Sequence, residues 1–168
     1  LGYEAAGTVE ALGKGAQGFK VGDAVSTIPA FSMNQYGVYG DTAIVPAFAV
    51  AKHPASLSWA EAAAVWMQYV TAYGALIDIA GLKAGDTLLI PAASSSVGIA
   101  AIQIARMIGA MPVALTRGSS KRKALLDAGA AHVISTEEQD VVEEVKKLTG
   151  GKGAQVVFDP VGGPSIAK

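Results

Sequence analysis

The sequence contains no cysteine. A chain without thiols cannot form disulfides, build a thiolate zinc site or use a cysteine nucleophile. Long apolar runs are also missing, since no stretch of about 18 unbroken apolar residues occurs. The first residues have neither the basic start nor the apolar middle of a signal peptide. These absences predict a cytoplasmic protein that makes no membrane contact.

An excess of charge of either sign is missing as well. Lys and Arg number 13 against 14 Asp and Glu, which gives a formal net charge of -1. Such a balance offers no electrostatic footprint for a polyanion. We therefore expect no nucleic-acid partner and a small-molecule substrate.

Apolar residues, in contrast, make up 51% of the 168 positions, so the chain can bury a large core. The length suits one domain of ordinary size, and two only when one is incomplete. The chain starts on Leu1 rather than Met, with a strand pattern that begins at once. We expect from this that an upstream portion is missing.

Residues 1–55 have the pattern of short β-strands separated by glycine and proline, and predict part of a small barrel or sandwich. The expected strands are 7–12, 21–26, 39–45 and 48–51.

From residue 56 the pattern becomes helical. Ser58 is a plausible N-cap with Glu61 three residues on, which predicts a capping box. Helices are expected over 60–65 and 69–80, with Gly81 as the stop.

The remainder alternates short apolar runs with longer amphipathic ones, which predicts βαβ units and a parallel, doubly wound sheet over residues 56–168. The expected strands are 87–90, 112–115, 132–134 and 155–158. The expected helices are 97–108, 120–128 and 140–148. Residues 19–23 and 82–86 resemble one another, and we interpret them as the same turn chemistry used twice.

A strand, a serine-rich turn and an apolar helix follow one another around residue 90. Ala93, Ser95 and Gly98 occupy the places of the three glycines in a dinucleotide-binding G-x-G-x-x-G turn. Backbone N–H groups at a helix start favour an anion, and the hydroxyls of Ser94, Ser95 and Ser96, just before Val97, add donors. The alternative is a serine-rich turn that only caps the helix.

Ordered motifs along nearly the whole chain resemble the medium-chain dehydrogenase/reductase family, and within it the quinone oxidoreductase branch. Residues 2–9 are similar to the family's G-H-E-x-x-G-x-V, and residues 19–25 to its F-x-x-G-D-x-V. Residues 71–76 match T-A-Y-x-A-L, residues 126–134 resemble L-G-A-x-x-V-I, and residues 158–163 resemble D-x-V-G-G.

The resemblance implies an α/β fold: an incomplete Rossmann doubly wound parallel sheet, preceded by part of a GroES-like β domain. It implies that the catalytic domain lacks its early part and the sheet its last strands. It also implies a homodimer when the protein is full length. Family members bring the T-A-Y and D-x-V-G-G segments to the nicotinamide, which here indicates Thr71, Val161 and Gly162.

The family's zinc-ligand positions depart from the zinc-dependent pattern. Tyr3 stands at the place of the histidine ligand and Met67 at the place of the second ligand. His53 and His132 have no ligand-spaced partner and suit surface or strand-edge roles. We therefore expect no metal.

Candidates for the wall of the acceptor pocket are Asn34, Tyr39 and Tyr69, and an ordinary turn asparagine with core or strand aromatics is an equal alternative. A buried, structural role at the domain junction suits Glu4 better than an acid-base role. The proton donor stays open.

The end of the second strand of the sheet indicates the cofactor. NAD-specific proteins place an acid there, roughly 20 residues after the glycine turn. Thr116, Arg117 and Lys121 stand there instead, with Arg122 after them. Arg117 can bind a 2′-phosphate with its fork of donors, which predicts NADPH. For Lys121 and Arg122 the alternative is a solvated helix start.

These observations favour an NADPH-dependent oxidoreductase that transfers a hydride to a quinone or an α,β-unsaturated carbonyl. Two alternatives stay open. One is a relative of the zinc-type alcohol dehydrogenases, and the other is a dinucleotide-binding structural or regulatory protein without turnover.

Overall fold

The computed structural model describes residues 1–162 and divides by its contacts into two compact units, Leu1–Gln68 and Tyr69–Lys168. The division falls inside a helix, later along the chain than residue 55. The domain boundary drawn from the sequence at 55/56 stays a prediction. No helix within residues 1–162 is long and apolar enough to cross a bilayer.

The first unit contains a three-stranded antiparallel sheet, whose strand order is β1-β2-β3. Its strands are β1 (Ala6–Thr8), β2 (Ala24–Thr27) and β3 (Val50–Lys52). The strand expected over 39–45 is wrong. Within residues 1–162 no strand pairs with this segment, Ile44 is exposed, and Pro46 removes a backbone donor from its end.

Two buried polar residues of β2 are satisfied by bonds within the first unit. The indole N–H of Trp66 donates to Ser26 Oγ at 2.8 Å, and Thr27 Oγ1 donates to the carbonyl oxygen of Tyr3 at 2.7 Å. Both bonds offset the desolvation of buried hydroxyls.

Helix α1 (Trp59–Tyr73) continues into a π-helical segment, Gly74–Ile79. The capping box is confirmed, because Ser58 N donates to a carboxylate oxygen of Glu61 at 2.8 Å. The gap expected between helices 60–65 and 69–80 is wrong, since no glycine or proline interrupts residues 66–68. Gly81 ends the segment with a φ of 62°.

The second unit is a four-stranded parallel sheet flanked by helices, and its strand order is β6-β5-β4-β7. The strands are β4 (Thr87–Ile90), β5 (Met111–Thr116), β6 (His132–Ser135) and β7 (Val156–Val157). The helices are α2 (Ser96–Ile108), α3 (Arg122–Asp127) and α4 (Val141–Thr149).

Side chains that alternate along the strands cover the two faces of this sheet. Leu88 and Ile90 pack with Ile102 of α2 on one face, whereas Val113 packs with Val145 of α4 on the other. Helices on both faces of a parallel sheet confirm the doubly wound arrangement expected from the sequence.

Candidate dinucleotide site

The strand order places a topological switch point at the carboxyl end of β4. The chain passes from β4 outward to β5 and β6, and then returns to pair β7 with the other side of β4. In open parallel sheets, ligands bind outside the carboxyl ends of the strands at such a reversal. The segments that follow β4, β5 and β7 meet at this edge of the sheet.

The turn after β4 is held tightly against the neighbouring strand. Ala93 is fully buried, and its N–H donates to the carbonyl oxygen of Leu115 at 3.2 Å. Ala92 adopts the left-handed conformation, with a φ of 47°. It comes one residue before Ala93, which occupies the place of the motif's first glycine. An alanine at position 92 carries strain that a glycine would not.

The start of α2 meets this turn at very short range. Ser95 caps the helix, because its Oγ accepts from Gly98 N at 3.1 Å. A Cβ on Gly98 would lie 2.6 Å from the carbonyl oxygen of Ala93, so only glycine fits. Close packing of helix on strand is the role of the motif's last glycine.

Two serines of the turn and Val97 differ in their surroundings. Ser94 is half-buried and accepts a hydrogen bond from Nζ of Lys121 at 3.0 Å. Ser96 is exposed in the first turn of α2, and Val97 packs against the core. Lys121 therefore spans from the segment after β5 to the turn after β4.

The segment after β5 carries the other candidate cation. Arg117 is exposed directly after the strand, and Thr116 Oγ1 donates to the carbonyl oxygen of Gly118 at 3.3 Å. Arg122 has a structural role, since Nη1 donates to the carbonyl oxygen of Val133 at 2.7 Å and ties α3 to β6. Arg122 is also exposed at the first residue of α3, so its place in a solvated helix start stays a prediction.

Two carboxylates at this edge, Glu137 and Glu138, are not among the candidates taken from the sequence. Both are exposed shortly after β6. In the structure Glu138 Oε1 accepts from Ser119 N at 3.1 Å, and a Cβ on Gly118 would lie 3.8 Å from Glu137 Oε2. The signal was available, because parallel neighbouring strands bring the segments after β5 and β6 together.

The loop after β7 folds around one aspartate. Asp159 Oδ1 accepts from Val161 N at 2.9 Å and from Gly162 N at 3.0 Å, and Gly162 has a φ of 69°. This turn leaves Val161 exposed at the same sheet edge as the turn after β4, which is the proposed phosphate turn. Gly163, the last residue of the D-x-V-G-G resemblance, lies outside the described residues.

The remaining candidates lie in separate places. Thr71 is exposed on α1, where the half-buried Tyr69 hydrogen bonds through its hydroxyl to the side chain of Gln103 on α2. In the first unit, Asn34 lies in an exposed turn and Tyr39 is 91% exposed. Glu4 is exposed as well, so its expected burial is wrong. The second unit thus brings together the candidates from residues 93–98, 116–121 and 161–162.

The residues at the zinc-ligand positions do not fit a metal. Tyr3 offers a phenol and Met67 a thioether, both poor ligands for Zn²⁺. Within residues 1–162, His, Asp and Glu form no group of three that could hold a metal ion.

Comparison with known proteins decides the family. Residues 1–91 match the alcohol dehydrogenase GroES-like domain, and residues 96–168 match the zinc-binding dehydrogenase family. The chain belongs to the medium-chain dehydrogenase/reductase family. Its fold is the mixed α/β fold of that family, with a GroES-like domain followed by a Rossmann-type parallel sheet.

Relatives within this family place the chain in the quinone oxidoreductase-like branch. Human quinone oxidoreductase is 35% identical over 167 residues, which cover 99% of this chain and 50% of that protein. The human synaptic vesicle membrane protein VAT-1 homolog is 36% identical over 167 residues, 99% of this chain and 41% of the relative.

A solved structure supports the same placement. Escherichia coli quinone oxidoreductase complexed with NADPH superposes with a TM-score of 0.78 at 34% identity, covering 99% of this chain and 50% of that one. The chain thus spans about half the length of the family members it matches.

Proposed function

We propose that the chain carries the dinucleotide-binding part of an NADPH-dependent oxidoreductase that reduces a quinone or an α,β-unsaturated carbonyl without a metal. The observation that carries the proposal is the glycine-tight turn between β4 and α2, which lies at the switch point of the parallel sheet. Such an edge offers backbone N–H groups and a helix start to a pyrophosphate.

The residues at this edge fit a bound nucleotide. Any side chain at position 98 would collide with the turn, so glycine there lets α2 begin close against the turn after β4. Ser94 and Ser95 add hydroxyls, while Arg117 and Lys121 add the positive charge that a 2′-phosphate requires.

When bound, the nicotinamide supplies the hydride chemistry. The chain's own contribution is orientation and exclusion of water. Thr71, Val161 and Gly162 are proposed to approach the nicotinamide end. Asn34, Tyr39 and Tyr69 stay candidates for the acceptor pocket.

The preference for reduction over alcohol oxidation follows from the missing ligand set. An alcohol needs strong polarisation, which zinc provides in the metal-dependent members, and Tyr3 with Met67 cannot hold that zinc. A quinone or enone is already electrophilic and requires less assistance. A small-molecule acceptor, a homodimeric full-length protein and a cytoplasmic location belong to the same proposal.

The decisive experiment compares acceptors in the full-length protein. NADPH oxidation is followed with 1,4-benzoquinone, with a simple enone and without acceptor, and NADP⁺ reduction is followed with ethanol. We expect turnover with the quinone or the enone and none with ethanol, before and after mild chelation. Zinc at one atom per chain, whose removal abolishes turnover, would support the zinc-type alternative. Binding without turnover of any acceptor would support the regulatory one.

A further inference from the structure

The segments after β5 and β6 meet at the adenosine end of the proposed site. The two strands run parallel with Thr116 opposite Ser135, and Glu137 N donates to the carbonyl oxygen of Arg117 at 3.0 Å. Backbone bonds, and not only flexible side chains, therefore fix Glu137 and Glu138 beside the loop that follows β5.

The two carboxylates lie beside the loop after β5, which is the proposed place of a 2′-phosphate. Glu138 already accepts from the backbone N–H of Ser119, which is a donor that a phosphate oxygen could otherwise use. Glu137 lies beside Gly118, which belongs to the loop after β5. The loop is bordered by Arg117 and Lys121, so cations and carboxylates border one small surface.

NADPH and NADH differ in how their adenosine ribose interacts with these carboxylates. A 2′-phosphate carries about -1.5 to -2 charges at neutral pH and is repelled by them. A ribose 2′-hydroxyl is neutral and can donate a hydrogen bond to a carboxylate, which is the role of the acid at the second strand of NAD-binding sheets. In this chain the carboxylates come from the segment after β6, the strand that pairs with β5.

We propose that Glu137 and Glu138 are specificity-determining residues that oppose the 2′-phosphate and narrow the preference for NADPH over NADH. This inference rests on the proposed function. Arg117 and Lys121 provide the preference, and the two carboxylates limit it, so removal of their charge should make the site more selective for the phosphorylated nucleotide.

The test measures the binding of two fragments by titration calorimetry. Adenosine 2′,5′-bisphosphate and adenosine 5′-monophosphate differ only in the 2′-phosphate, and neither requires turnover. The variants are Glu137→Gln, Glu138→Gln and the double variant in the full-length protein. Glutamine keeps an oxygen that accepts from Ser119 N, and both side chains are exposed, so the fold should persist. Glu143→Gln is the matched control, since it removes an exposed charge from α4.

We expect the ratio of affinities, bisphosphate over monophosphate, to rise about three- to tenfold in the double variant and to stay constant in Glu143→Gln. The rise should shrink as salt increases, because the carboxylates are exposed. An unchanged ratio in the double variant, or an equal rise in the control, would overturn the inference and leave the proposed function standing. If the wild type binds neither fragment, both proposals fail.

Discussion

Arg117 is the side chain on which the proposed preference for NADPH depends most directly. It stands exposed at the end of β5, where the guanidinium can pair with the 2′-phosphate and stack on adenine. A charge-assisted contact contributes about 1.5 to 3 kcal/mol. Arg117→Asp should therefore lower the preference for NADPH over NADH by on the order of 10- to 100-fold.

The measurement is kcat/KM with each dinucleotide in the full-length protein. Lys123→Asp is a suitable control, because it reverses another exposed charge, on α3. A preference that survives Arg117→Asp unchanged would show that another group recognises the phosphate.

Ala92 stores backbone strain at the entrance of the phosphate turn. Its φ of 47° costs an alanine about 1–2 kcal/mol, and a glycine adopts it freely. Ala92→Gly should raise the free energy of unfolding by up to about 1 kcal/mol, after the greater entropy of the unfolded glycine is subtracted.

Denaturant unfolding checks this prediction against Ala64→Gly. Ala64 is exposed within α1, where the same substitution should lower stability by about 1 kcal/mol. Equal losses in the two variants would contradict the assignment of strain to Ala92.

At the level of elements, the sequence predicts the parallel sheet far better than the antiparallel one. β4 has the bounds expected from its apolar run, and α2 begins one residue earlier than expected, at Ser96. Buried parallel strands are continuous apolar runs, which are visible without knowledge of a partner. The strand expected over 39–45 does not form, because pairing depends on a neighbour that no local pattern reveals.

The contact between α2 and the phosphate turn tolerates no side chain at position 98. A methyl group there would meet backbone atoms of Ala93 at 2.6 to 2.8 Å, and neither element can yield cheaply. Gly98→Ala should lower the free energy of unfolding by about 1–3 kcal/mol and weaken dinucleotide binding.

Gly74→Ala is the matched control, since nothing lies within 4 Å of its added methyl group. Thermal unfolding and NADPH titration of both variants measure the expected losses of stability and of dinucleotide binding. Loss of binding in both, or in neither, would contradict a role for close packing at Gly98.

The glycine turn that precedes β2 contains a pH-sensitive ion pair. Nζ of Lys52 lies 2.9 Å from Asp23 Oδ2, and this hydrogen bond, together with one from the backbone N–H of Lys20, lowers the pKa of Asp23. A lowered pKa stabilises the fold above the ordinary Asp value of about 3.9, and the benefit is lost as pH falls through the folded value.

Asp23→Asn should therefore destabilise the protein at neutral pH, and the difference from wild type should shrink below about pH 3.9. Denaturant midpoints across pH measure this, with Lys52→Met as the variant that removes the main cause. A difference that is constant with pH would contradict the ion pair.

The turn over 82–86 repeats the bond between Lys20 N and Asp23, since Lys83 N donates to Asp86 Oδ2 at 3.0 Å. The resemblance of the two segments in sequence predicts this shared turn.

For the whole molecule, the sequence locates the candidate site but not its charge balance. The residues of the phosphate turn and Arg117 follow from their spacing after apolar strands. Glu138 does not, because it belongs to a segment 19 positions from Ser119 and meets it only through the pairing of β5 with β6. Contacts across strands are set by topology, which local patterns reveal only when strand order is known.

Hydrogen exchange should show which parts of the chain respond to a nucleotide. With adenosine 2′,5′-bisphosphate, slower exchange is expected in residues 91–98 and 116–121, since these carry the proposed contacts. Amides of β1, β2 and β3 should keep their rates. Slower exchange concentrated in those three strands would contradict a site at the switch point.

The positions of the tryptophans give the two units different optical properties. Both tryptophans lie in the first unit: Trp59 is 53% exposed, and the indole of Trp66 is bonded to the buried Ser26. Emission excited at the indole band therefore reports on the first unit, in which loss of the bond to Ser26 should shift the Trp66 spectrum to the red. The second unit contains Tyr69 and Tyr73 but neither tryptophan, so its melting does not appear directly in emission excited at the red edge of the indole band.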